Sequence, residues 1–286
     1  MNIQLSLIIP NYNNGKYLRD CLDSVLNQTY IPHEVIIADD ASTDNSVEII
    51  QQYEAQNDFI FGIYHKSNNG VSFNRHHAIL KARGNYITTL DSDDYFYSNE
   101  KLENEIKLIQ TYKILYDKDI IPYSNVVLTL KNRCKIGNVY NSNNIIECNI
   151  LVSIMSRTNP NPLDYIVNKK YYLAVGGYNT QIPLYEDWDL SIKLASKYEF
   201  YFTGEVGTAY RMHSEGLSSS KFIDHIKWQS KIFYQNRNLL CFKKRLYVGM
   251  KLILLFFKQF VSRILRRNSL LLCILKKIKY SIFNKA

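Results

Sequence analysis

An α/β fold with a mostly parallel central sheet flanked by helices is predicted by three features of the first hundred residues. Apolar runs of strand length alternate with stretches of helical spacing, the connections between them are short, and three of the four runs end in Asn or Asp clusters. Parallel strands need crossover segments of this kind, wound right-handedly. Residues 3–9 (IQLSLII) are a mostly apolar run ended by Pro10, which reads as a buried strand. Over 16–27, Leu18, Cys21, Leu22, Val25 and Leu26 recur at helical spacing. Residues 34–38 (EVIIA) form a second strand, and Thr43-Asp44 caps a helix carrying Val47, Ile49, Ile50 and Tyr53. A third strand spans 59–64, a third helix 71–82 with Gly84 as its C-cap, and a fourth strand 86–90. Past Asp94 the alternation weakens. A helix over about 98–113 precedes a strand over 120–130 and a polar loop or edge segment over 131–149. A helix over 187–197 and strands over 199–203 and 207–211 close the body.

The chain has 286 residues and a formal net charge of +9, a balance that suggests a polyanion-binding protein. Its distribution says otherwise. Fifteen of the 35 Lys and Arg, and none of the 26 Asp and Glu, fall between His225 and Ala286, which leaves residues 1–224 with 20 basic against 26 acidic. A basic groove through the whole body is excluded. At 46% hydrophobic and 21% charged the chain is globular, with length for one large domain or somewhat more. Cys21, Cys134, Cys148, Cys241 and Cys273 are odd in number and contain no CxxC pair, which argues for a reducing compartment. The opening MNIQLSLIIPNYN turns polar too soon for a secretory signal. The longest strongly apolar stretches, 252–257 and 270–275, fall well short of the roughly 18 residues that span a bilayer, so no transmembrane helix is expected.

Ligands in such sheets sit at the carboxyl ends of the strands, where Asn11-Tyr12-Asn13-Asn14, Asp39-Asp40 and Asp91-Ser92-Asp93-Asp94 fall. Three carboxylates within four residues repel one another and favour a bound cation; oxygen ligands of this kind suit Mg²⁺ or Mn²⁺. The plainer alternative is an acidic turn. Asp39 at a strand tip can accept hydrogen bonds from a nucleobase or ribose, whereas Thr43 and Asp44 are better read as helix caps.

Taken together these segments resemble the family 2 glycosyltransferases, the large GT-A group that uses nucleotide-diphosphate sugars. SLIIPNYNNGKYLRDCLDSVLNQTY looks like the family's opening strand–loop–helix, and EVIIADDASTDNS is similar to its VDDGSTD segment, with Ala41 where Gly is usual. NNGVSFNRHHAILKARGNYITTLDSDD resembles the stretch leading to the DxD motif, with His76 in place of a usual Asn after Arg75. GGYN at 176–179 and LYEDWDLSIKLA at 184–195 are similar to the later acidic motif, and YRMHSEGLS at 210–218 to the closing Arg-x-His element.

The resemblance implies a Rossmann-like GT-A domain over 1–215, with a nucleotide-sugar half at 1–95, an acceptor half at 96–215, and a helical basic extension at 216–286. It implies a donor site of Pro10, Asn11, Tyr12, Asp39, Asn69, Arg75, Asp91 and Arg211, with Asp39 at the base and Asp91 near the ribose. The divalent cation, Mg²⁺ or Mn²⁺, falls to Asp93, with Asp91 and His213 as further ligands. Arg75, Arg211 and His213 would support the leaving nucleoside diphosphate. Asp187 is expected as the general base, with Glu186 second, and direct attack with one base implies an inverting transfer. Trp188 is expected in the core. A UDP-sugar donor and a glycan or polyprenyl-linked acceptor in capsule, O-antigen or lipooligosaccharide synthesis are expected. The alternatives are a non-catalytic nucleotide-sugar or glycan-binding module, which the complete DSDD and ED motifs weigh against, and a sugar nucleotidyltransferase. The latter lacks support because NYNNGKY offers one Gly and one Lys for a phosphate loop.

Residues 237–286 interleave Lys243-Lys244-Arg245, Arg266-Arg267 and Lys276-Lys277-Ile278-Lys279 with Leu, Ile and Phe. On a helix over 249–268, Lys251, Lys258, Arg263, Arg266 and Arg267 share one half and Ile253, Phe257, Phe260, Val261 and Ile264 the other. Leu252, Leu255 and Phe256 break the pattern. A basic amphipathic helix reads as an interfacial anchor, so an anionic membrane surface is the expected partner of 237–286. A packed helical hairpin is the alternative, and no nucleic acid is expected because no recognition motif accompanies the charge. The expected location is cytoplasmic, peripheral on the cytoplasmic face of the inner membrane.

Overall fold

The structure, a computed structural model, describes residues 2–138, 147–157, 162–213 and 221–267. Residues 139–146, residues 214–218 of the closing motif, the apolar run 270–275, Cys273 and the lysines at 276–279 lie outside the described residues. The chain divides into two units, Met1–Leu239 and Leu240–Ala286. The expected division at residue 215 falls inside the first of these.

The first unit is built on a five-stranded sheet ordered β3 (Ile60–Tyr64), β2 (Glu34–Asp39), β1 (Leu5–Asn11), β4 (Tyr86–Thr89) and β8 (Val167–Asn168). Only β8 runs antiparallel. β1 and β2 are buried at every position, as strands covered on both faces must be. Three crossover helices cover the sheet: α1 (Gly15–Leu26), α2 (Ser46–Gln56) and α3 (Val71–Lys81). α1 buries Leu18, Cys21, Leu22 and Val25, the residues whose spacing marked it. α4 (Lys101–Tyr116) leads to a second sheet ordered β5 (Tyr95–Phe96), β9 (Phe200–Met212), β6 (Ile121–Leu130) and β7 (Lys135–Asn138). The fold is the expected α/β, GT-A type, with a mostly parallel central sheet.

Several elements depart from the sequence reading, each for a local reason. Pro10 does not end β1 but lies within it. Gly84 is not the cap of α3, whose C-cap is Ala82. A Cβ on Gly84 would stand 2.4 Å from the Gln4 carbonyl, so this glycine lets the chain press against β1. The two strands expected over 199–211 are one strand, β9, which bends at Gly204 (φ 88) while the pairing with β6 shifts register. β7 occupies part of the polar 131–149 stretch. The short helices α5 (Leu151–Ser156) and α6 (Lys169–Ala174) carry too few turns to show a period. α7 (Glu186–Ala195) follows, and α8 (Phe222–Asn236) belongs to the same unit: Asn236 donates to Asp189 at 2.8 Å and Gln229 to the Tyr185 hydroxyl at 2.8 Å.

The described part of the second unit is dominated by α9 (Phe242–Arg267). On α9 Val248 and Leu252 are buried, and Leu255 and Phe256, two of the residues that break its amphipathic pattern, are half-buried. Among the described residues no helix is long and apolar enough to cross a membrane, and Cys21, Cys134, Cys148 and Cys241 form no disulfide.

One ion pair ties the two sheets together. Lys101 and Glu105 are fully buried one helical turn apart, with Nζ 3.1 Å from Oε2. Glu105 also accepts from the Ser124 hydroxyl at 2.8 Å and the Ile166 amide at 3.2 Å. Removing one partner leaves an uncompensated buried charge. Glu105→Ala is therefore expected to lose about 3–5 kcal/mol in urea unfolding, and Lys101→Met with Glu105→Leu to recover most of it. Equal losses in the single and double variants would contradict this account.

Candidate active site

The site opens where β1 and β4 part. Pairing of β1 with β2 runs on to Asn11 and Asp39, whereas pairing with β4 stops at Ile8 and Thr89. The last bond on that side runs from the Leu90 amide to the Ile8 carbonyl at 3.0 Å. Two residues further, with the same parity, stands Pro10, which has no N–H to offer an adjoining strand. The gap is the switch point of the sheet, and a cavity of about 1130 Å³ fills it.

Pro10, Asn11, Tyr12, Asp40, Asn69 and Gly70 line the end nearest β1 and β2. Asp39 does not line the cavity. Its carboxylate accepts from Asn11 Nδ2 at 2.8 Å and from the Ser42 amide and hydroxyl at 2.9 and 2.6 Å, shaping the loop behind the wall. Asp40, of opposite strand parity, faces inward and holds the Asn69 and Gly70 amides at 2.9 and 2.8 Å. Directly after Asp40, Ala41 adopts φ 64, which costs an alanine about 1–2 kcal/mol and accounts for a preference for glycine there. Asp44 holds the Ser46 amide at the start of α2, as expected, and also the Gly15 amide at the start of α1.

Beyond β4, Asp91, Asp93 and Asp94 bring a carboxylate oxygen each within 4.8 Å of the others. Burial first, then the neighbouring carboxylates, raise Asp94 well above the usual range, although the Arg211 amide donates to it at 2.7 Å. Asp91 is also raised, by burial, against the opposing pull of Arg75. His213 Nε2 lies 2.8 Å from Asp93 Oδ2, which places it on the same group. This is a set of hard oxygen donors with unbalanced negative charge, and it fits a divalent cation such as Mg²⁺ or Mn²⁺.

Arg75 is buried between the two halves. Its Nη1 lies 2.5 Å from Glu186 Oε1 and its Nη2 pairs with Asp91. Burial opposes its charge, but these two carboxylates hold the guanidinium above its ordinary value. Arg75 thus joins the end of β4 to the start of α7. Glu186, buried beside it, is pushed up to about 7, burial outweighing Arg75 while Asp187 adds to the rise. Asp187 also lines the cavity, in the first turn of α7, where the helix dipole favours a carboxylate.

Arg211, expected at the donor, is not brought to the cavity. It is buried with Nη2 3.0 Å from Asp20 Oδ2 and its guanidinium over the rings of Tyr17 and Tyr95. His76 contacts the Tyr172 hydroxyl through Nδ1 at 2.5 Å and stays outside the lining. Trp188 is a core residue, as expected, donating to the Ile154 carbonyl at 2.8 Å.

Sequence reading missed Asp40, Asp164, Arg157, Tyr185 and His225, all of which line the cavity. Strand parity distinguishes Asp40 from Asp39. Asp164, Arg157 and His225 come from segments whose sequence carries no motif, and Tyr185 stands in the 184–195 motif beside the acidic pair that drew attention there. Arg157 and Tyr185 sit in the left-handed region (φ 50 and 69), at about 1–2 kcal/mol each.

The model of glycosyl transferase family 2 matches residues 6–159. The chain is 39% identical over 105 residues to the putative teichuronic acid biosynthesis glycosyltransferase TuaG of Bacillus subtilis, covering 37% of this chain and 41% of that protein. It spans about 36% to 41% of the length of the curated relatives it matches first. Among solved structures it resembles the mannosyltransferase PcManGT from Pyrobaculum calidifontis in complex with GDP-Man and Mn²⁺. The TM-score is 0.65 at 17% identity, covering 88% of this chain and 70% of that one. It also resembles residues 1–349 of S. aureus TarS in complex with UDP-GlcNAc, with TM-score 0.63 at 17% identity, covering 83% and 70%.

Asp164 offers a test of the cavity's electrostatics. Burial, and then the charge of Asp91, push its carboxyl from an ordinary 3.8 to about 7. The folded protein then holds a proton that the unfolded chain releases near pH 4. The stability from this site is complete below about pH 4 and is lost as pH rises through about 7, at up to about 1.4 kcal/mol per unit. Urea titrations in EDTA should show this decline in the wild type and a flatter profile in Asp164→Asn. Parallel profiles would contradict the assignment.

Proposed function

The chain belongs to glycosyl transferase family 2, and from that premise we propose an inverting, metal-dependent transfer of a sugar from a nucleotide-diphosphate donor to a glycan or lipid-linked acceptor. The observation that carries this reading is Arg75, which brings the Asp91–Asp94 cluster and the Glu186–Asp187 pair into one cavity. The donor's nucleoside lies against Pro10, Asn11, Tyr12, Asp40 and Asn69, on the loop that Asp39 orders. A Mg²⁺ or Mn²⁺ ion held by Asp93, with Asp91 and His213, would act as a Lewis acid on the charge that the departing diphosphate gains. Asp187 takes the proton from the acceptor hydroxyl as its oxygen attacks the anomeric carbon opposite the leaving group, which inverts that centre. Glu186, engaged by Arg75, positions the helix start rather than serving as base. Arg75 supports the site by fixing these carboxylates, not by reaching the diphosphate.

The similarity to a protein named for teichuronic acid biosynthesis supports a role in surface polysaccharide synthesis. A UDP-sugar is the favoured donor, in keeping with the UDP-GlcNAc complex of a protein of similar fold. Hexosyl or N-acetylhexosaminyl transfer is the favoured reaction, in keeping with the UDP-GlcNAc and GDP-Man complexes of proteins of similar fold. The second unit supports peripheral attachment to an anionic membrane, on its cytoplasmic face. On α9, Phe242, Leu246, Met250, Ile253, Leu254, Phe257 and Phe260 are exposed, and Lys243, Lys244 and Lys258 stand beside them. Such a face buries apolar area at the headgroup boundary, and each nearby Lys or Arg adds about 1 kcal/mol.

Asp187→Asn is expected to lower kcat by about 100-fold or more while the thermal midpoint and UDP binding persist. Asp93→Ala should abolish the Mn²⁺-dependent part of the thermal shift that a UDP-sugar produces. Turnover near wild type in Asp187→Asn would sink the mechanism. Separately, Ile253→Glu with Phe257→Glu in the full chain should reduce sedimentation with phosphatidylglycerol vesicles, and unchanged sedimentation would rule out this face as the anchor.

A further inference from the structure

The cavity contains a cation that the transfer chemistry leaves unused. Arg157 ends α5 in the left-handed conformation, with its guanidinium carbon 4.7 Å from the centre of the Tyr185 ring and 5.3 Å from that of Trp188. Its Nη1 is buried and has no hydrogen-bond partner among the described residues, and no carboxylate among them pairs with it. Tyr185 is itself left-handed, and its hydroxyl is fixed by His225 Nδ1 at 2.7 Å and Gln229 Nε2 at 2.8 Å. Two bulky residues therefore hold a conformation that glycine would adopt more cheaply, and they hold it against each other. Strain of this kind collects at ligand-binding positions.

We infer that Arg157, on its Tyr185–Trp188 cradle with His225 beside it, is an oxyanion subsite for the acceptor. The acceptor would then carry a phosphate or carboxylate close to its reactive hydroxyl. The inference rests on the transfer reading above. Arg157 also hydrogen-bonds the Tyr185 side chain, which leaves Nη1 as the unpartnered donor, and guanidinium N–H groups engage phosphate and carboxylate oxygens alike. A neutral hydroxyl can accept one of these hydrogen bonds but leaves the guanidinium's charge without a counter-charge, which is costly in a buried site. The cradle is made by the residue before α7, by α7 and by α8, not by the loops after β1, β2 and β4 that meet the donor. It lies two residues from Asp187, so an anion held there brings its neighbouring hydroxyl to the base.

The test uses the full chain saturated with Mn²⁺ and UDP, so that the diphosphate position is filled, titrated with methyl phosphate, glucuronate or glucose. At least one anion should bind about tenfold more tightly than glucose, and Arg157→Gln should remove that preference while UDP affinity changes by less than about twofold. Arg157→Lys, which keeps the charge but loses the planar fork, should fall between them. The tighter of the two anions identifies the acceptor chemistry as phosphate ester or uronic acid. Anions that bind no better than glucose overturn the proposal, as does an Arg157→Gln variant that binds them normally or loses UDP instead. If that variant does not fold, the wild-type preference and Arg157→Lys decide. Failure of UDP itself to bind counts against the transfer reading alone, because the same titration of unloaded protein still decides the subsite.

Discussion

Arg75 is buried, and a buried guanidinium is tolerable only where carboxylates compensate for its lost hydration. Its two partners come from opposite ends of the domain: Asp91 after β4, 16 residues away, and Glu186 at the start of α7, 111 residues away. The three groups form a fork with one arm on each half of the molecule, and nearly every other feature of the cavity is arranged around it. The metal-type cluster continues from Asp91, and the expected base follows Glu186. Moving either arm would strand a charge, so the spacing between the Asp91 end and the Glu186 end of the cavity is held by electrostatics rather than by the strands alone.

The same burial explains the acidity pattern. Asp91, Asp94, Asp164 and Glu186 are all raised, burial being the leading cause in each, while Arg75 pulls Asp91, Asp164 and Glu186 back. A cavity in this condition is short of positive charge. A divalent cation at the Asp91–Asp94 end would relieve it there. At the other end the cation is Arg157, held by aromatic rings instead of acids, and so left available to an incoming group.

The formal +9 of the chain describes neither end of this cavity. The excess belongs to the segment after His225, most of it in the second unit, where α9 exposes apolar and basic side chains together. An acidic body and a basic, apolar-faced helix in one chain suit the proposed transfer beside an anionic surface.

Periodicity alone determined the alternating first half, because each strand and helix there is long enough to repeat its pattern and is buried as that pattern demands. Residue types at the strand ends likewise marked Asn11, Asp91 and Asp93 as cavity residues, and the family resemblance marked Asp187 at the start of α7. Parity within one strand end was not decided that way, and Asp40 lines the cavity where Asp39 was expected. Arg211 reads in sequence as a partner of His213, but β9 ends at Met212, so Arg211 stays in the strand, buried against Asp20, while His213 leaves it and meets Asp93. Arg157, Asp164 and His225 carry no motif in sequence, and Tyr185 lies in the 184–195 motif without a site role assigned to it. They meet because short helices and left-handed turns, whose conformations depend on long-range packing rather than on local pattern, bring segments nearly 70 residues apart to one wall. Local physics therefore chose the elements and the chemistry of the strand ends, and tertiary packing alone chose which side chains share the space between them.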